Sequence, residues 1–276
     1  MKKVAIQGQA SSYHHQAAQK FFGKSIQILP CDIFKDVFSA VDGGKSEYGV
    51  VAVENSLYGA INPVYDLLLK KSLFILGEVN LGVHHCLIGL PDSKKQNLTE
   101  VYSQVMALAQ CEKYLDKNLP GAKTIDYHDT VASVELVKKL GDNTKAAIAS
   151  KQAAELHGMK VLAQNIEDSP QNITRFLVLS KNRPVDIETN KTSIVLQTPA
   201  DKSAGSLHKA LGALAEQNIS LSSLNSRPVV GKKWHYMFYI DLDTSDSQES
   251  FKHALSQLQA MGCDVKVLGS YKRDES

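Results

Sequence analysis

The sequence predicts an α/β protein that ends in a second, smaller unit. Over residues 1–180, short apolar runs typical of buried strands alternate with segments whose apolar residues recur at helical spacing. A polar stretch with a proline, SKNRPVDIETNK at 180–191, then interrupts the alternation. After it the pattern resumes in a compact order of strands and helices. Repeated strand–helix alternation is typical of α/β architectures with largely parallel sheets.

The elements before residue 180 follow from local patterns. Val4–Ile6 predicts a short buried strand, which a polar turn separates from a helix at Ser12–Phe22. Apolar residues recur every four positions over Ile33–Val41, which predicts a second helix with Asp32 as its cap. The other predicted elements are, in order, strand 48–53, helix 61–70, a strand within 73–90, strand 101–103, helix 107–115, strand 123–127, helix 130–140, strand 146–150, helix 151–157 and strand 175–179.

The polar stretch at 180–191 predicts a linker between a domain at 1–181 and a domain at 192–276. Each helix predicted in the second domain has one apolar face to bury. These faces carry Leu207, Leu211 and Leu214 in the first helix and Phe251, Leu255 and Leu258 in the second. The predicted elements are strand 193–198, helix 205–217, strands 219–227 and 234–242, helix 248–261 and strand 264–271. This βαββαβ order predicts a ferredoxin-like unit.

Composition and charge exclude several classes of protein. The chain has 276 residues, of which 43% are hydrophobic and 22% charged, as expected for a soluble globular protein of more than one domain. A net charge of +2 gives no basic field suited to nucleic acid, so no nucleic-acid partner is expected. Only a short apolar stretch follows Lys2 and Lys3. We therefore expect neither a signal peptide nor a membrane span, and a cytoplasmic location.

Cysteines and histidines form no metal-site pattern in the sequence. The cysteines lie far apart without a C-x-x-C pair, which predicts free thiols rather than metal ligands or disulfides; they are Cys31, Cys86, Cys111 and Cys263. His14 and His15 lack a third ligand at metal-like spacing, so no metal is expected. His84 and His85 are predicted to be neighbours on a strand, where their side chains face opposite ways.

Seven stretches of the sequence carry a resemblance to a known family. Five of them are ENSLYGAI (54–61), HHCLIG (84–89), VYSQVMALAQCEKYL (101–115), DTVASVELV (129–137) and NITRFLVLS (172–180). In order and spacing these resemble the motif series of prephenate dehydratases. In the second domain, SAGSLHKAL (203–211) and NSRP (225–228) resemble motifs of the ACT regulatory domain of that family.

The resemblance implies a fold and a reaction. The expected fold is a two-lobed catalytic domain like that of periplasmic binding proteins, with the active site in the cleft between its lobes, followed by an ACT domain. The expected reaction converts prephenate to phenylpyruvate, with loss of water and carbon dioxide, in phenylalanine biosynthesis. Because aromatisation drives this reaction, no metal or other cofactor is expected.

The motif NITRF supplies the predicted catalytic threonine. A site for prephenate must hold two carboxylates and help a hydroxyl depart. A threonine hydroxyl can donate a hydrogen bond to the departing oxygen, and the resemblance assigns this role to Thr174. Arg175 offers a planar fork for a carboxylate, and Phe176 completes the substrate-binding motif. On one strand, neighbours point to opposite faces, so the alternative is an ion pair of Arg175 with Glu167 or Asp168.

Polar residues follow the predicted strand 48–53 at its carboxyl end, where open α/β sheets bind ligands. The resemblance places functional residues here. Asn55 is assigned to catalysis, and Ser56 is predicted to bind carboxylate oxygens. Glu54 either orients other groups or acts as an acid with a raised pKa. The alternative is a simple Asx turn closed by Gly59.

Four further positions match polar residues of the family. Ser103 and Gln110 are assigned to catalysis, although this chain has Gln-Val-Met at 104–106 where the family has His-Pro-Gln. Ser12, in a turn that resembles an anion site, and Thr130, at a helix start, are assigned to substrate binding. The alternatives are a plain strand-to-helix turn at Ser12 and capping by Asp129 at Thr130. His85 matches the family's histidine, with a packed structural role as the alternative.

The resemblance of the second domain to an ACT domain implies feedback by L-phenylalanine, which the family binds at the interface of paired ACT domains. The predicted effector-binding residues are Gly205, Ser206, Leu207 and His208, with Asn225, Ser226, Arg227 and Pro228 closing the site from the partner chain. Asn225 replaces the family's usual glutamate, and the alternative reading is only a helix start beside a strand end. This pairing implies a homodimer or homotetramer. An arogenate dehydratase and a non-catalytic amino-acid sensor are the alternative functions.

Overall fold

The computed structural model describes residues 1–183, 188–199, 204–229, 231 and 235–275. Its strands are β1 (Lys2–Gln7), β2 (Ile26–Cys31), β3 (Tyr48–Asn55), β4 (Gly59–Ala60), β5 (Phe74–Gly82), β6 (Cys86–Gly89), β7 (Glu100–Ser103), β8 (Lys123–Asp126), β9 (Lys145–Ala149), β10 (Lys160–Gln164), β11 (Ile173–Ser180), β12 (Lys191–Gln197), β13 (Leu221–Pro228), β14 (Tyr236–Leu242) and β15 (Asp264–Tyr271).

Its helices are α1 (Tyr13–Phe22), α2 (Phe34–Asp42), α3 (Asn62–Lys70), α4 (Val105–Gln110), α5 (Glu112–Asn118), α6 (Thr130–Leu140), α7 (Lys151–His157), α8 (Ser206–Glu216) and α9 (Glu249–Ala260). A short 3-10 turn lies at Lys95–Asn97. Among the described residues, no helix combines the length and the apolar character needed to cross a membrane.

The first lobe is built on a sheet with the strand order β2-β1-β3-β11-β5, to which β4 adds by pairing with β3. Strands β1, β2 and β3 run parallel, whereas β11 is antiparallel to both β3 and β5. One face of this sheet packs on α1 through a core that includes Val4 and Phe176. The other face packs on α2 and α3 through Val51, Val53 and Leu177.

The second lobe is built on a sheet with the order β10-β6-β9-β7-β8. Strands β7, β8 and β9 are parallel, and β6 is antiparallel to β9 and β10. Both sheets are therefore mixed, and the prediction of largely parallel sheets was wrong. The reason is the connection between the lobes: the chain crosses from β5 to β6 and returns from β10 to β11, so the returning strand runs against its neighbours.

Several predicted boundaries also differ. The helix predicted at 107–115 is two helices, α4 and α5, which meet at Cys111. Asp32 does not cap α2, because the N-cap residue is Ile33 and makes no side-chain capping bond. His84 and His85 lie in the crossing between β5 and β6 rather than on a strand.

The carboxyl-terminal unit has the predicted βαββαβ order. Its sheet has the strand order β13-β14-β12-β15, and all three pairings are antiparallel. One face packs on α8 and α9 through a core with Ile194 and Leu214. The other face packs on the first lobe, since Val195, Tyr239 and Leu268 share a core with residues of β3 and α3. Within the predicted linker and the predicted strand at 234–242, residues 184–187 and 234 lie outside the described part of the chain.

Two crossings join the lobes, and one buried carboxylate ties them together. Glu167, in the returning crossing, accepts a hydrogen bond from the backbone N–H of His85 at 2.8 Å, and its other oxygen lies 2.8 Å from His84 Nδ1. Because β1, β3 and β5 are parallel, their carboxyl ends lie at one edge of the first sheet. This edge is where the chain crosses to the second lobe.

Candidate active site

Thr174 and Asn55 lie side by side at the edge of the first sheet that leads to the second lobe. β11 runs antiparallel to β3, so the first residues of β11 pair with the last residues of β3, and Thr174 is in register with Asn55. The Asn55 amide donates a hydrogen bond from Nδ2 to Thr174 Oγ1 at 2.9 Å. Both side chains are largely buried, with 8% and 9% of their surface exposed. This pair forms the centre of the candidate site.

A bulge in β3 brings Asn55 to the Thr174 side of the sheet. Arg175 pairs with Glu54, but Phe176 pairs with Ala52, so β3 has one extra residue at this point. Strand side chains alternate between faces, and a bulge re-aims those that follow it. As a result, Asn55 faces the same way as Ala52, while Val53 and Glu54 both face the other way.

The hydrogen bonds of Asn55 fix the direction of its bond with Thr174. Asn55 Oδ1 accepts from the backbone N–H groups of Leu57 and Tyr58, at 3.0 and 3.2 Å. The amide NH₂ therefore points to the other side, where it donates to Thr174 and to Asn172 Oδ1. Since Thr174 Oγ1 accepts from Asn55, its own hydroxyl proton is available to donate to a bound molecule. The Asx turn considered as an alternative is thus present, and it orients the amide.

Asn172 belongs to this cluster, and the sequence analysis missed it. The residue is 1% exposed, and its Oδ1 accepts from Asn55. Its Nδ2 is buried and has no hydrogen-bond partner among the described residues. Buried amide groups usually find a partner, so this NH₂ is a candidate donor to a ligand beside Thr174. The available signal was its position as the first residue of NITRF.

Ser56 joins the loop after β3 to the start of β11. Its hydroxyl donates to the carbonyl of Gln171 at 2.6 Å and accepts from the N–H of Ile173 at 3.0 Å. This hydroxyl therefore holds the loop after β3 against the segment that leads into β11, beside the Thr174–Asn55 pair. Its only proton is donated to the Gln171 carbonyl, so this hydroxyl is not free to donate to a substrate carboxylate as predicted.

Arg175 and Glu54 lie on the face of the sheet opposite to Thr174, which contradicts the predicted contact of Arg175 with a substrate carboxylate. Of the two roles considered for Glu54, its pairing with Arg175 agrees with the orientation of another group. Arg175 Nη2 lies 3.1 Å from Glu54 Oε2, and Nη1 lies 2.7 Å from Asp241 Oδ2 and 3.3 Å from Glu78 Oε2. The guanidinium is thus a structural ion-pair partner, as the alternative held, but of different acids. Strand alternation is the physical cause.

Phe176 shares the face of Thr174 but is only 1% exposed, in the core under α1. Its ring packs edge-on against His14, with 5.1 Å between the ring centroids. The predicted substrate contact of Phe176 is therefore contradicted. Its role is to pack the strand that carries Thr174.

Gln110 and His85 form a second polar cluster, with Tyr13. His85 Nε2 lies 2.6 Å from Gln110 Oε1, and its Nδ1 lies 3.2 Å from the Tyr13 hydroxyl. That hydroxyl also donates to the carbonyl of His84 at 2.8 Å. Burial lowers the pKa of His85, which favours the neutral imidazole. The cluster connects α1 of the first lobe, the crossing and α4 of the second lobe.

Ser12 and Thr130 lie where the two lobes approach each other. Ser12 caps α1 by accepting from His15 N–H, and Asp129 caps α6 by accepting from the N–H groups of residues 131 and 132. A Cβ built on Gly8 would be 3.1 Å from Asp129 Oδ2, so the turn before α1 lies against the start of α6. Ser150 Oγ also donates across the boundary to the carbonyl of Ser11 at 3.0 Å. The lobes are therefore closed onto each other.

Ser103 is the last residue of β7 in the second lobe. Its side chain is fully buried, and Oγ donates to the carbonyl of Ile148 at 2.8 Å. The hydroxyl holds two strands together, which contradicts its predicted role in catalysis. Among the described residues, no group of three or more His, Cys, Asp or Glu side chains is arranged to hold a metal ion.

The predicted effector residues lie on α8 and β13. Gly205 has φ +81° and is the N-cap of α8, whose first residues are Ser206, Leu207 and the exposed His208. Ser203, which begins the predicted motif, lies outside the described residues. The alternation of β13 splits its four predicted residues between two faces. Ser226 and Pro228 are exposed on one face, whereas Asn225 and Arg227 face the first lobe.

Asn225 and Arg227 contact α3 of their own chain. Asn225 Nδ2 donates to the Tyr65 hydroxyl at 3.2 Å, and Arg227 forms a two-point ion pair with Asp66, with Nη2 to Oδ2 at 2.8 Å. Both side chains therefore already have partners within their own chain, and their closing of an effector site from a partner chain stays a prediction. These contacts attach the edge strand of the carboxyl-terminal sheet to α3, the helix that follows the Asn55 loop.

Comparison with known proteins identifies relatives along nearly the whole chain. The bifunctional chorismate mutase/prephenate dehydratase of Aquifex aeolicus is 38% identical over 271 residues, 98% of this chain and 74% of that protein. Arogenate dehydratase 5, chloroplastic, of Arabidopsis thaliana is 40% identical over 289 residues, 99% of this chain and 68% of that protein.

Two solved structures are similar to the chain as a whole. The prephenate dehydratase of Arthrobacter aurescens in complex with L-Phe has a TM-score of 0.89 and 27% identity, over 98% of this chain and 90% of that chain. A protein described as a novel type of quorum quenching acylase, GqqA, has a TM-score of 0.89 and 28% identity, over 99% of both chains.

The family profile of prephenate dehydratase matches residues 4–184, which include both lobes and the Thr174–Asn55 pair. Together with the identity to relatives over nearly its whole length, this match shows that the chain belongs to the prephenate dehydratase family.

Proposed function

We propose that this chain converts prephenate to phenylpyruvate. The C–C bond to the ring carboxylate breaks and carbon dioxide leaves. Its electron pair enters the ring and expels the hydroxyl at the opposite carbon, which takes up a proton and leaves as water. The ring becomes aromatic without a change in oxidation that requires a cofactor.

The available hydroxyl proton of Thr174 is the observation that carries this proposal. The departing oxygen gains negative charge as its bond to carbon breaks, and a fixed donor at that point stabilises the transition state more than the bound substrate. Asn55 holds Thr174 Oγ1 as an acceptor and so leaves its proton for this oxygen. The unpaired amide of Asn172 supplies a second donor on the same side.

The substrate carboxylates need other partners than Arg175. We assign them to the starts of α1 and α6, where Ser12 and Thr130 lie and where backbone N–H groups favour anions. The two helices belong to different lobes, so an anion between them also holds the lobes closed. Gln110 is assigned to orienting the substrate ring, together with His85, which it contacts.

We further propose that residues 192–276 form an ACT domain that binds L-phenylalanine, after a catalytic domain at 1–181. The βαββαβ order and the left-handed Gly205 before α8 support this, as does the similarity to a relative solved with L-Phe. The effector site then uses Gly205, Ser206, Leu207 and His208, and pairing of ACT domains makes the protein a homodimer or homotetramer. A cytoplasmic location agrees with this function. Inhibition requires that phenylalanine binds a less active state more tightly.

Arogenate is the second candidate substrate, because several relatives are named arogenate dehydratases. Arogenate carries an ammonium where prephenate has a keto group, so a selective pocket needs an acid or carbonyl partner for it. Comparing kcat/KM for the two substrates in one enzyme preparation distinguishes them. A non-catalytic sensor would turn over neither.

The decisive experiment measures phenylpyruvate formation by the wild type, Thr174→Val and Thr174→Ser, with and without phenylalanine. Thr174→Val keeps the shape but loses the hydroxyl, and we expect kcat to fall by about 100-fold or more, in line with the loss of one preorganised donor. Thr174→Ser keeps the hydroxyl and should retain most of the activity. The variants should stay folded and bind phenylalanine. Near-normal turnover by Thr174→Val contradicts the assignment.

A further inference from the structure

A group of charged side chains lies between the first-lobe sheet and the carboxyl-terminal sheet, directly behind the active site, and all its members except the half-exposed Glu54 are largely buried. Its two cations are Arg175 of β11 and Lys191 of β12, and its three carboxylates are Glu54, Glu78 and Asp241. Glu78 is 4% exposed, Lys191 5% and Asp241 7%. Charges this far from water are stable only with well-made partners, so their geometry is tightly constrained.

Asp241 is the member that the carboxyl-terminal sheet contributes to Arg175. Its Oδ2 lies 2.7 Å from Arg175 Nη1, and its Oδ1 accepts from Ser193 Oγ at 2.5 Å. Ser193 Oγ lies 2.8 Å from the Tyr271 hydroxyl. Burial raises the pKa of Tyr271, so this phenol remains a neutral hydrogen-bonding group. Contacts within its own sheet thus orient the Asp241 carboxylate toward the Arg175 guanidinium.

The two catalytic side chains have their sequence neighbours in this group. Thr174 precedes Arg175 on β11, and Asn55 follows Glu54 on β3. The register pairs Thr174 with Asn55 and Arg175 with Glu54, so the ion pair lies one residue away on the opposite face. A shift of Arg175 therefore moves the backbone that carries Thr174. Asp241 and Glu54 hold Arg175 from two sides.

We propose that Arg175 and Asp241 are positioning residues, which hold Thr174 against Asn55 from the opposite face of the sheet. The carboxyl-terminal unit thereby contributes a side chain to the alignment of the active site, in addition to any ligand that it binds. This inference rests on the proposed function. Arg175 itself does not touch the substrate.

The test compares full-length variants that each lose one ion pair between the carboxyl-terminal unit and the first lobe. Asp241→Asn removes the charge behind Thr174. Asp66→Asn is the matched control, since its ion pair with Arg227 joins the same two units but lies on α3. Asp241→Glu keeps the charge on a longer side chain. Steady-state kinetics with prephenate are measured at a temperature where circular dichroism shows all variants to be folded.

We expect Asp241→Asn to lower kcat by about 10- to 100-fold with KM within about twofold, because misplacement by a fraction of an ångström affects the transition state most. Asp66→Asn should change both constants by less than about twofold, and Asp241→Glu should recover part of kcat. An unchanged kcat in Asp241→Asn, or an equal loss in Asp66→Asn, overturns the proposal. If Asp241→Asn does not fold, Ser193→Ala, which only loosens Asp241, should show a smaller fall in kcat.

Hydrogen exchange supplies a measurement that does not depend on turnover. In Asp241→Asn the amides of residues 174–176 and 54–55 should exchange faster than in Asp66→Asn. Absence of turnover in the wild type contradicts the proposed function alone. Equal exchange in the two variants contradicts the positioning role alone.

Discussion

At the scale of single residues, the side-chain amide of Asn55 determines what the Thr174 hydroxyl can do. With both N–H groups of the turn bound to Oδ1, only the NH₂ side can meet Thr174, so the threonine accepts and keeps its proton for a ligand. If residue 55 presented an acceptor in place of this NH₂, the hydrogen bond would reverse, because the Thr174 hydroxyl would then be the donor.

Asn55→Asp makes this change with little change in shape. The carboxylate still accepts from the N–H groups of Leu57 and Tyr58, but its other oxygen accepts a hydrogen bond from the Thr174 hydroxyl, whose proton is then not available to a ligand. We expect kcat for prephenate to fall by about 100-fold or more, while thermal unfolding shows a folded protein. Asn118→Asp, which loses an amide donor to Tyr114 O away from the cleft, serves as the control. Equal activity of the two variants would refute the assigned direction of the bond.

The sequence predicts the positions of Thr174 and Asn55 at strand ends but not the residues around them, and the catalytic role of the pair stays a prediction. Thr174 and Asn55 were predicted because each sits at a strand end within a recognisable motif, and they are in fact hydrogen-bonded. Arg175 was assigned to the wrong face because the sequence does not reveal that a second sheet, with Asp241, covers that side. Arg175 and Asp241 are 66 residues apart in the chain, so no local pattern connects them.

At the scale of elements, His14 links α1 to the first-lobe sheet. Its Nε2 accepts from the backbone N–H of Ala52 at 3.3 Å, next to the bulge, and its ring packs on Phe176. Burial lowers the pKa of His14 from its usual 6.5 to about 4. The neutral ring is therefore the form that the fold binds.

This shift predicts a loss of stability in acid. The pKa of His14 is lower in the folded than in the unfolded chain, so the unfolded chain binds the proton more readily. The stabilising contribution is complete above pH 6.5 and falls as the pH drops toward about 4. At pH 5 the loss is roughly 1 to 2 kcal/mol in the free energy of unfolding.

His14→Gln provides the measurement, since its side-chain oxygen can accept from Ala52 and does not titrate. Urea unfolding at pH 7 and pH 5 should show a smaller decrease for His14→Gln than for the wild type. His85, whose pKa burial also lowers, is present in both proteins and does not affect the difference. Identical decreases in both proteins would show that His14 is not the responsible group.

Three strands have no counterpart among the predicted elements, namely β2, the two-residue β4, and β10. Of these, β2 and β10 are at sheet edges. β2 and β10 end their respective strand orders, and most of their residues are only half-buried or exposed. Edge strands have one neighbour and little apolar surface to bury, so their sequences lack the continuous or alternating apolar pattern of β3 or β14. The six elements of the carboxyl-terminal unit were all predicted, because each helix presents a regular apolar face.

At the scale of the whole molecule, the two lobes meet closely beside the candidate site. Gly8 allows the turn of the first lobe to approach Asp129 of the second, where a Cβ would come within 3.1 Å of Oδ2. Gly8 also has φ +84°, a conformation that other residues adopt at a cost. An added methyl group at residue 8 therefore strains the local backbone and also crowds Asp129 of the other lobe.

Gly8→Ala and Gly141→Ala separate these effects. Gly141 has φ +65° with nothing within 4 Å of an added Cβ, so its substitution has only the local cost. Both variants should lose about 1 kcal/mol of stability. Only Gly8→Ala should also lower kcat/KM, by about tenfold, because it keeps the lobes from closing on substrate. If both variants keep wild-type kcat/KM, closure at Gly8 does not matter for turnover.

The extra residue in β3 has a consequence for how this strand is compared across relatives. Counting every second residue outward from Val50 and Ala52 assigns Glu54 to the cleft and Asn55 to the rear, the reverse of what the fold does. Before the bulge the even-numbered residues of β3 face the cleft, and after it the odd-numbered residues do. A relative whose strand is straight here would offer Thr174 a carboxylate rather than an amide, although its sequence aligned without a gap.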